Sequence, residues 1–157
     1  MQNHCKCSFF FILIIISSLV AGCSSDEVKK SENSGRIYAL YDSLDRIKKN
    51  YETKNLTDFF ADYASSYPHL DDKKKQTGEI FKQFNLIKIQ FYLDHVVFDK
   101  NSSSLFVRWE GEWSHAAEEA IKAEGNSILK FSVESAPHLI EIQGIDPFTA
   151  PVKDKQS

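Results

Sequence analysis

The apolar periodicity of this chain changes once, close to residue 85, from helical spacing to strict alternation, and that change restricts the fold to helices followed by a sheet. Upstream of it, Ile37, Leu40, Tyr41, Leu44, Ile47 and Tyr51 recur in steps of three and four. This spacing predicts a helix over residues 36–51, with Ser34 as its cap. A second helix is expected after Asn55, which can cap it. Asp58 stands well against the helix dipole, and Leu56, Phe59, Phe60 and Tyr63 form the apolar side. The helix is expected to end at residues 65–68, because the residue before Pro68 is pushed out of helical geometry. A third helix is expected over residues 72–84, burying Ile80, Phe81 and Phe84, with Gly78 weakening it.

Downstream, Ile87, Ile89, Phe91 and Leu93 alternate with polar residues or Tyr92. The phase slips at Asp94-His95, and Val96 and Phe98 continue on the other parity. One extra residue there is a β-bulge, which bends a strand. Residues 99–104 read as a turn. Leu105, Val107, Trp109, Gly111 and Trp113 then alternate as a half-buried antiparallel strand. Residues 116–125 read as a loop or one helical turn. Leu129, Phe131 and Val133 mark a third strand, and His138, Ile140 and Ile142 a last one that ends at Gly144. The class is α+β: three N-terminal helices packed on a curved, cone-like antiparallel sheet of about four strands.

The N-terminus carries a different signal. Lys6 precedes an apolar run over residues 9–20, broken only by Ser17 and Ser18. A membrane-crossing helix needs about 20 apolar residues, so the run suits the hydrophobic region of an export signal. Directly after it, Leu19-Val20-Ala21-Gly22-Cys23 resembles the lipobox of bacterial lipoproteins. The resemblance implies signal-peptidase recognition of Val20, Ala21 and Gly22, a cut before Cys23, and lipidation of Cys23 with fatty acids such as palmitate. One acyl chain binds a bilayer marginally, whereas two or more hold stably. Ser24, where an aspartate retains Gram-negative lipoproteins at the inner membrane, implies the periplasmic face of the outer membrane in such a host. The expected organisation is a signal peptide over 1–22, a lipidated start and polar tether over 23–35, one domain over 36–149 and a polar tail over 150–157.

Processing at that site removes Cys5 and Cys7 and leaves Cys23 alone. The domain is then expected to fold on packing, with no intrachain disulfide. Loss of Lys6 leaves 18 basic side chains against 22 acidic ones, a net charge of −4, which disfavours nucleic acid as a partner. The one basic run, Lys73-Lys74-Lys75, adjoins Asp71-Asp72 and reads as a solvated helix start.

The domain resembles the nuclear-transport-factor-2-like superfamily, with its SnoaL-like and ketosteroid-isomerase-like groups. The resemblance is carried by Leu56-Thr57-Asp58-Phe59-Phe60-Ala61-Asp62-Tyr63, by Glu79-Ile80-Phe81, by the long strand over 87–98, by the apolar face ending at Trp109, and by Leu139-Ile140-Glu141-Ile142-Gln143-Gly144. It spans residues 36–148. For the short strand usual after the second helix, residues 67–70 are the candidate. The resemblance implies a cone enclosing a pocket, and often a homodimer made through the sheet. Isomerases of this type place an acidic base just after the second helix and a tyrosine on the first. Tyr38 or Tyr41 and Asp71 are the nearest counterparts, but residues 65–70 lack the acidic motif and Asp71 reads as a helix cap.

No catalytic residue is therefore assigned. His69, His95, His115 and His138 are scattered, and His69 with Asp71 and Asp72 matches no metal-binding spacing, so no metal or cofactor is implied. Tyr38, Tyr41, Phe59, Tyr63, Phe91, Trp109, Trp113 and Phe131 either line a pocket or form ordinary core and rim. The expectation is an envelope lipoprotein, held at the membrane by its lipid, whose non-catalytic domain binds a partner protein or a small apolar ligand. A pocket enzyme acting on a small hydrophobic molecule and a dimerising assembly component are the alternatives.

Overall fold

The computed structural model describes residues 26–115 and 119–151, with side-chain surroundings from Ser34 onward. Residues 26–35 fall in a separate unit of the chain, and the packing below lies within the unit that starts at Arg36. The elements are α1 (Asp26–Glu52), α2 (Leu56–Ala61), α3 (Leu70–Gln83), β1 (Leu86–Phe98), β2 (Ser103–Ser114), β3 (Ile121–Phe131) and β4 (Leu139–Gly144). The expected α+β order is present, with a four-stranded antiparallel sheet in the order β1-β2-β3-β4.

Helix α1 begins at Asp26, inside the stretch read as a tether, so Ser34 lies within the helix and not at its cap. The added segment is polar, but its Glu and Lys residues favour helix intrinsically without needing an apolar face. From residue 36 onward α1 buries Leu40, Ser43, Leu44, Ile47 and Tyr51. Polar Ser43 is buried because its hydroxyl donates to the Pro137 carbonyl at 3.0 Å. The helix closes with Lys54 in the left-handed region (φ 58°) and a bond from Asn55 N to the Asn50 carbonyl, 2.9 Å. That is a Schellman-type stop.

Asn55 then caps α2 as expected, its side chain accepting from Asp58 N. The helix stops at Ala61, earlier than Pro68 suggested, because the chain leaves it to meet β4. Leu139 N donates to the Asp62 carbonyl (2.8 Å) and Ala64 N to the Leu139 carbonyl (2.9 Å). This single parallel bridge, Tyr63 with Leu139, occupies the place sought for a short strand at residues 67–70. Arg46 reaches across from α1 to Asp62, 2.8 Å. Helix α3 starts at Leu70, and its N-cap position is His69 (φ 52°), whose backbone carbonyl accepts from Lys73 N. Asp71 is in the first turn and is not the cap.

In the sheet, the register shifts between Leu93 and His95, leaving Asp94 as the bulged residue. Strand β3 begins at Ile121, well before residue 129, and ends at Phe131, so Val133 is outside it. Its first half shows little apolar alternation because small residues must face the indoles of β2. Gly125 pairs with Trp109 and Ala123 with Gly111, and a methyl at position 125 would stand 3.1 Å from the Trp109 ring. The inner face of the sheet carries Ile87, Ile89, Leu105, Val107, Trp109, Trp113, Leu129 and Phe131, all buried. On β1, an edge strand, Ile89 N donates to the Glu52 carboxylate at 2.8 Å. This bond covers part of the open edge.

Strand β4 ends at Gly144, where φ is +89° and a Cβ would lie 2.6 Å from the Asn126 carbonyl oxygen. Both the dihedral and the space demand glycine. Gly144→Ala is expected to lower unfolding free energy by about 2–4 kcal/mol in urea titration, through strain and backbone displacement together.

Candidate functional site

The space between helices and sheet is filled by rings. Trp109 and Trp113 stand edge-on to each other, centroids 6.5 Å apart. The Trp113 indole N–H donates to the Tyr51 hydroxyl at 3.2 Å. The Tyr51 ring lies 5.3 Å from Phe59 and from Phe81. Into this group comes Phe148, fully buried, at 5.2 Å from Tyr51, 5.2 Å from Phe59 and 5.9 Å from Phe91. Such edge-on pairs contribute about 0.5–1.5 kcal/mol each beyond area burial.

Phe148 belongs to neither sheet nor helix. It sits on the segment 145–151 that follows β4 and crosses back over the interior. The segment is held at both ends. The Ile145 carbonyl accepts from Trp109 Nε1 at 3.0 Å and from the Ser127 hydroxyl. Lys73, on α3, sends its ammonium to Asp146 (2.6 Å), the Thr149 hydroxyl (3.0 Å) and the Phe148 carbonyl (3.4 Å). Phe148 N donates to the Asp146 carboxylate at 2.8 Å, an Asx turn that aims the ring inward. Lys73 is thus buried, contrary to the reading of Lys73–Lys75 as a solvated helix start; Lys74 and Lys75 are exposed. The Tyr63 and Thr77 hydroxyls are buried without a hydrogen-bond partner among the described residues.

The residues singled out from sequence divide. Val20, Ala21, Gly22 and Cys23 lie outside the described residues. Phe59, Tyr63, Trp109, Trp113 and Phe131 are buried in one core cluster, with Phe91 packed half-buried against it. Tyr38 and Tyr41 do not join them, being 68% and 42% exposed. Ser43 takes the place on the buried stripe that Tyr41 was expected to hold. The Asp71 side chain is fully exposed, so no phenol–carboxylate pair forms from these three residues. His69 is exposed, His95 stacks on Phe106 (4.1 Å), His115 packs near Phe84 (5.0 Å) and His138 meets Glu134 at 3.3 Å. Sequence reasoning missed Lys73, Asp146 and Phe148. The available signal was an Asp-Pro-Phe-Thr turn carrying an aromatic beyond the last strand.

The outer face of the sheet differs. Across its middle lie Tyr92, with the Arg108 guanidinium 4.6 Å over its ring, then the His95–Phe106 stack, and half-buried Ile128. Toward the other end, Lys88, Glu112 and Lys122 face one another across three strands, as do Gln90, Glu110 and Glu124. Residues of these rows, together with the inner-face row Ile89, Gly111 and Ala123 and the end of α1 (Lys48, Glu52), border an open groove of about 750 Å³. Lys122 holds Glu112 at 2.9 Å. Their hydrogen bond and attraction lower the Glu112 carboxyl and raise the Lys122 amine.

This arrangement of helices and sheet matches solved structures. An NTF2-like superfamily protein of Salmonella enterica serovar Typhimurium superposes with a TM-score of 0.61 at 8% identity, over 80% of this chain and 98% of that one. The chain has the nuclear-transport-factor-2-like fold. A proposed scytalone dehydratase of Novosphingobium aromaticivorans gives a TM-score of 0.61 at 10% identity, over 74% and 89%. Bd1075 of Bdellovibrio bacteriovorus gives 0.63 at 11% identity over 74% of this chain. The chain spans only 43% of Bd1075. No family model matches the sequence, and no curated protein does.

Burial raises the phenols of Tyr51, Tyr63 and Tyr67, and the Asp146 charge pushes in the same direction; at Tyr51 the Trp113 hydrogen bond opposes them. Each phenol is therefore neutral in the folded chain at a pH where the unfolded chain ionises it. Stability is full below the ordinary tyrosine value of 10.0 and falls as pH rises above it, since the unfolded state then binds fewer protons. Absorbance at 295 nm is expected to show Tyr51, Tyr63 and Tyr67 ionising together with loss of near-ultraviolet circular dichroism, and not before it.

Proposed function

We propose that this chain is an envelope lipoprotein, held at a membrane by lipid on Cys23, whose domain works by binding a partner protein through the outer face of its sheet. The observation that carries the reading is the plugged interior. Phe148 is fully buried among Tyr51, Phe59 and Phe91, so its ring fills the space between them. The outer face meanwhile presents Tyr92 (38% exposed), Arg108, His95 and Phe106 together. Aromatic and arginine side chains are enriched in protein interfaces. A dimer through the same face remains an alternative occupant, and the membrane attachment rests on the lipobox resemblance.

A second reading is a pocket enzyme acting on a small hydrophobic molecule. One feature favours it: burial first, and the Asp146 charge after it, raises the phenols of Tyr51, Tyr63 and Tyr67. The likeness in fold to the Novosphingobium protein, for which a scytalone dehydratase activity is proposed, is in keeping with this reading. In this chain Lys73 neutralises Asp146 at 2.6 Å, which disfavours its use as a base.

Two measurements test the leading reading. Metabolic labelling with a tritiated fatty acid is expected to mark the wild-type chain and to vanish in Cys23→Ala; label that persists sinks the anchor. A photo-crosslinking phenylalanine placed at position 106 in cells is expected to give one discrete heavier adduct, absent when the same residue is at position 38. An adduct of twice the chain mass would assign the face to a second copy instead.

A further inference from the structure

The chain holds two Asn-x-Ser/Thr triplets, Asn55-Leu56-Thr57 and Asn101-Ser102-Ser103. On a surface loop of an exported protein, such a triplet is an acceptor for N-linked sugar. The structure separates the two. Asn55 caps α2 and its carboxamide is committed: the oxygen accepts from Asp58 N at 3.2 Å, and the nitrogen donates to the Asp58 carboxylate at 2.6 Å. Asn101 stands exposed in the turn between β1 and β2, which Asp99 N closes by donating to the Ser102 carbonyl at 2.9 Å. Its carboxamide has no hydrogen-bond partner among the described residues. The flanking residues differ as well. Transferases of bacterial envelopes recognise a longer motif, with an acidic residue two positions before the asparagine. Asp99 supplies that residue here, and its carboxylate is exposed and unpaired among the described residues. The corresponding position ahead of Asn55 is Thr53.

We propose that Asn101 is a site of N-linked glycosylation, filled during export from an oligosaccharide carried on a polyprenyl diphosphate. The proposal rests on the export reading of the N-terminus and is independent of the outer-face reading. In the transfer, Asn101 Nδ2 forms a bond to C1 of the reducing-end sugar. The bond from C1 to the diphosphate oxygen breaks, the lipid diphosphate leaves with the electron pair, and the amide nitrogen gives up one proton. Ser103 supplies the hydroxyl that the transferase holds. In the folded chain that hydroxyl is buried and accepts from the Arg36 guanidinium at 3.1 Å, while the same guanidinium lies 4.5 Å over the Phe98 ring. Transfer therefore precedes the docking of this turn onto α1. The finished sugar, on an exposed side chain, leaves that contact undisturbed. At about 3.3 Å per residue of strand, the turn lies about 25 Å along β1 from Gln90, so the sugar also leaves the groove open.

The test uses the chain purified from the envelope of its source bacterium, digested and sequenced by tandem mass spectrometry with electron-transfer fragmentation. The peptide holding Asn101 is expected to carry sugar on that residue, and the peptide holding Asn55 to be bare. Asp99→Asn is expected to lower occupancy at Asn101 by about tenfold, through loss of one charge-assisted contact with the transferase. Ser103→Thr is expected to retain the sugar and Ser103→Ala to abolish it. An Asn101 peptide found bare on chains that carry lipid at Cys23 overturns the proposal and leaves the anchor standing. Sugar at Asn101 on chains without lipid does the reverse, and chains bearing neither overturn both. Sugar at Asn55 in place of Asn101 also overturns the proposal. Occupancy unchanged in Asp99→Asn overturns the role given to that carboxylate.

Discussion

Two indole N–H groups buried on the inner face of one strand govern how the rest of the molecule is arranged. An indole brings a large apolar area into a core but carries a donor that must be satisfied there. Trp113 finds its acceptor on α1, in the Tyr51 hydroxyl, and Trp109 finds its acceptors in Ser127 and in the Ile145 carbonyl beyond the end of the sheet. The first bond helps place the helical layer over the sheet. The second draws the chain back across the interior after β4. Small residues on the neighbouring strand, Gly125 against Trp109 and Ala123 against Gly111, leave room for the rings.

The returning segment then puts a ring into the interior. A fold that encloses space has in this chain been closed by its own aromatic side chain, locked by an ammonium that is buried and fully employed. Breaking a buried pair costs more than the pair contributes, because the orphaned charge stays inside. Lys73 and Asp146 therefore act less as a source of stability than as a determinant of one closed arrangement. The groove near the α1 end and the aromatic strip on the outer face are accessible.

Much of this architecture was legible beforehand because it follows local periodicity. The switch of period separated helices from strands, the parity slip at Asp94 located the bulge, and Asn55 announced the start of α2. The errors share a cause. The early start of β3 is not legible in the spacing because the residues opposite Trp109 and Gly111 are Gly125 and Ala123, and small residues carry little apolar signal. Helix α2 was drawn too long because Pro68 marks a local limit, whereas the stop comes from Asp62 and Ala64 bonding to Leu139. Tyr41 was placed inside because it is apolar at helical spacing, while buried Ser43 depended on a carbonyl 94 residues away.

The sequence by itself determined the class of fold, the order of its elements and a lipobox-like cysteine ahead of them, since each is written in the spacing of near neighbours along the chain. Only the tertiary structure decided that the interior is occupied, that one of three adjacent lysines is buried, and that a short turn past the last strand supplies the plug. Those outcomes rest on Lys73 meeting Asp146 and on Phe148 meeting Tyr51 and Phe59, contacts between residues far apart in the chain. Local spacing sets which face of an element is apolar; what that face touches is settled only when distant elements compete for the same volume.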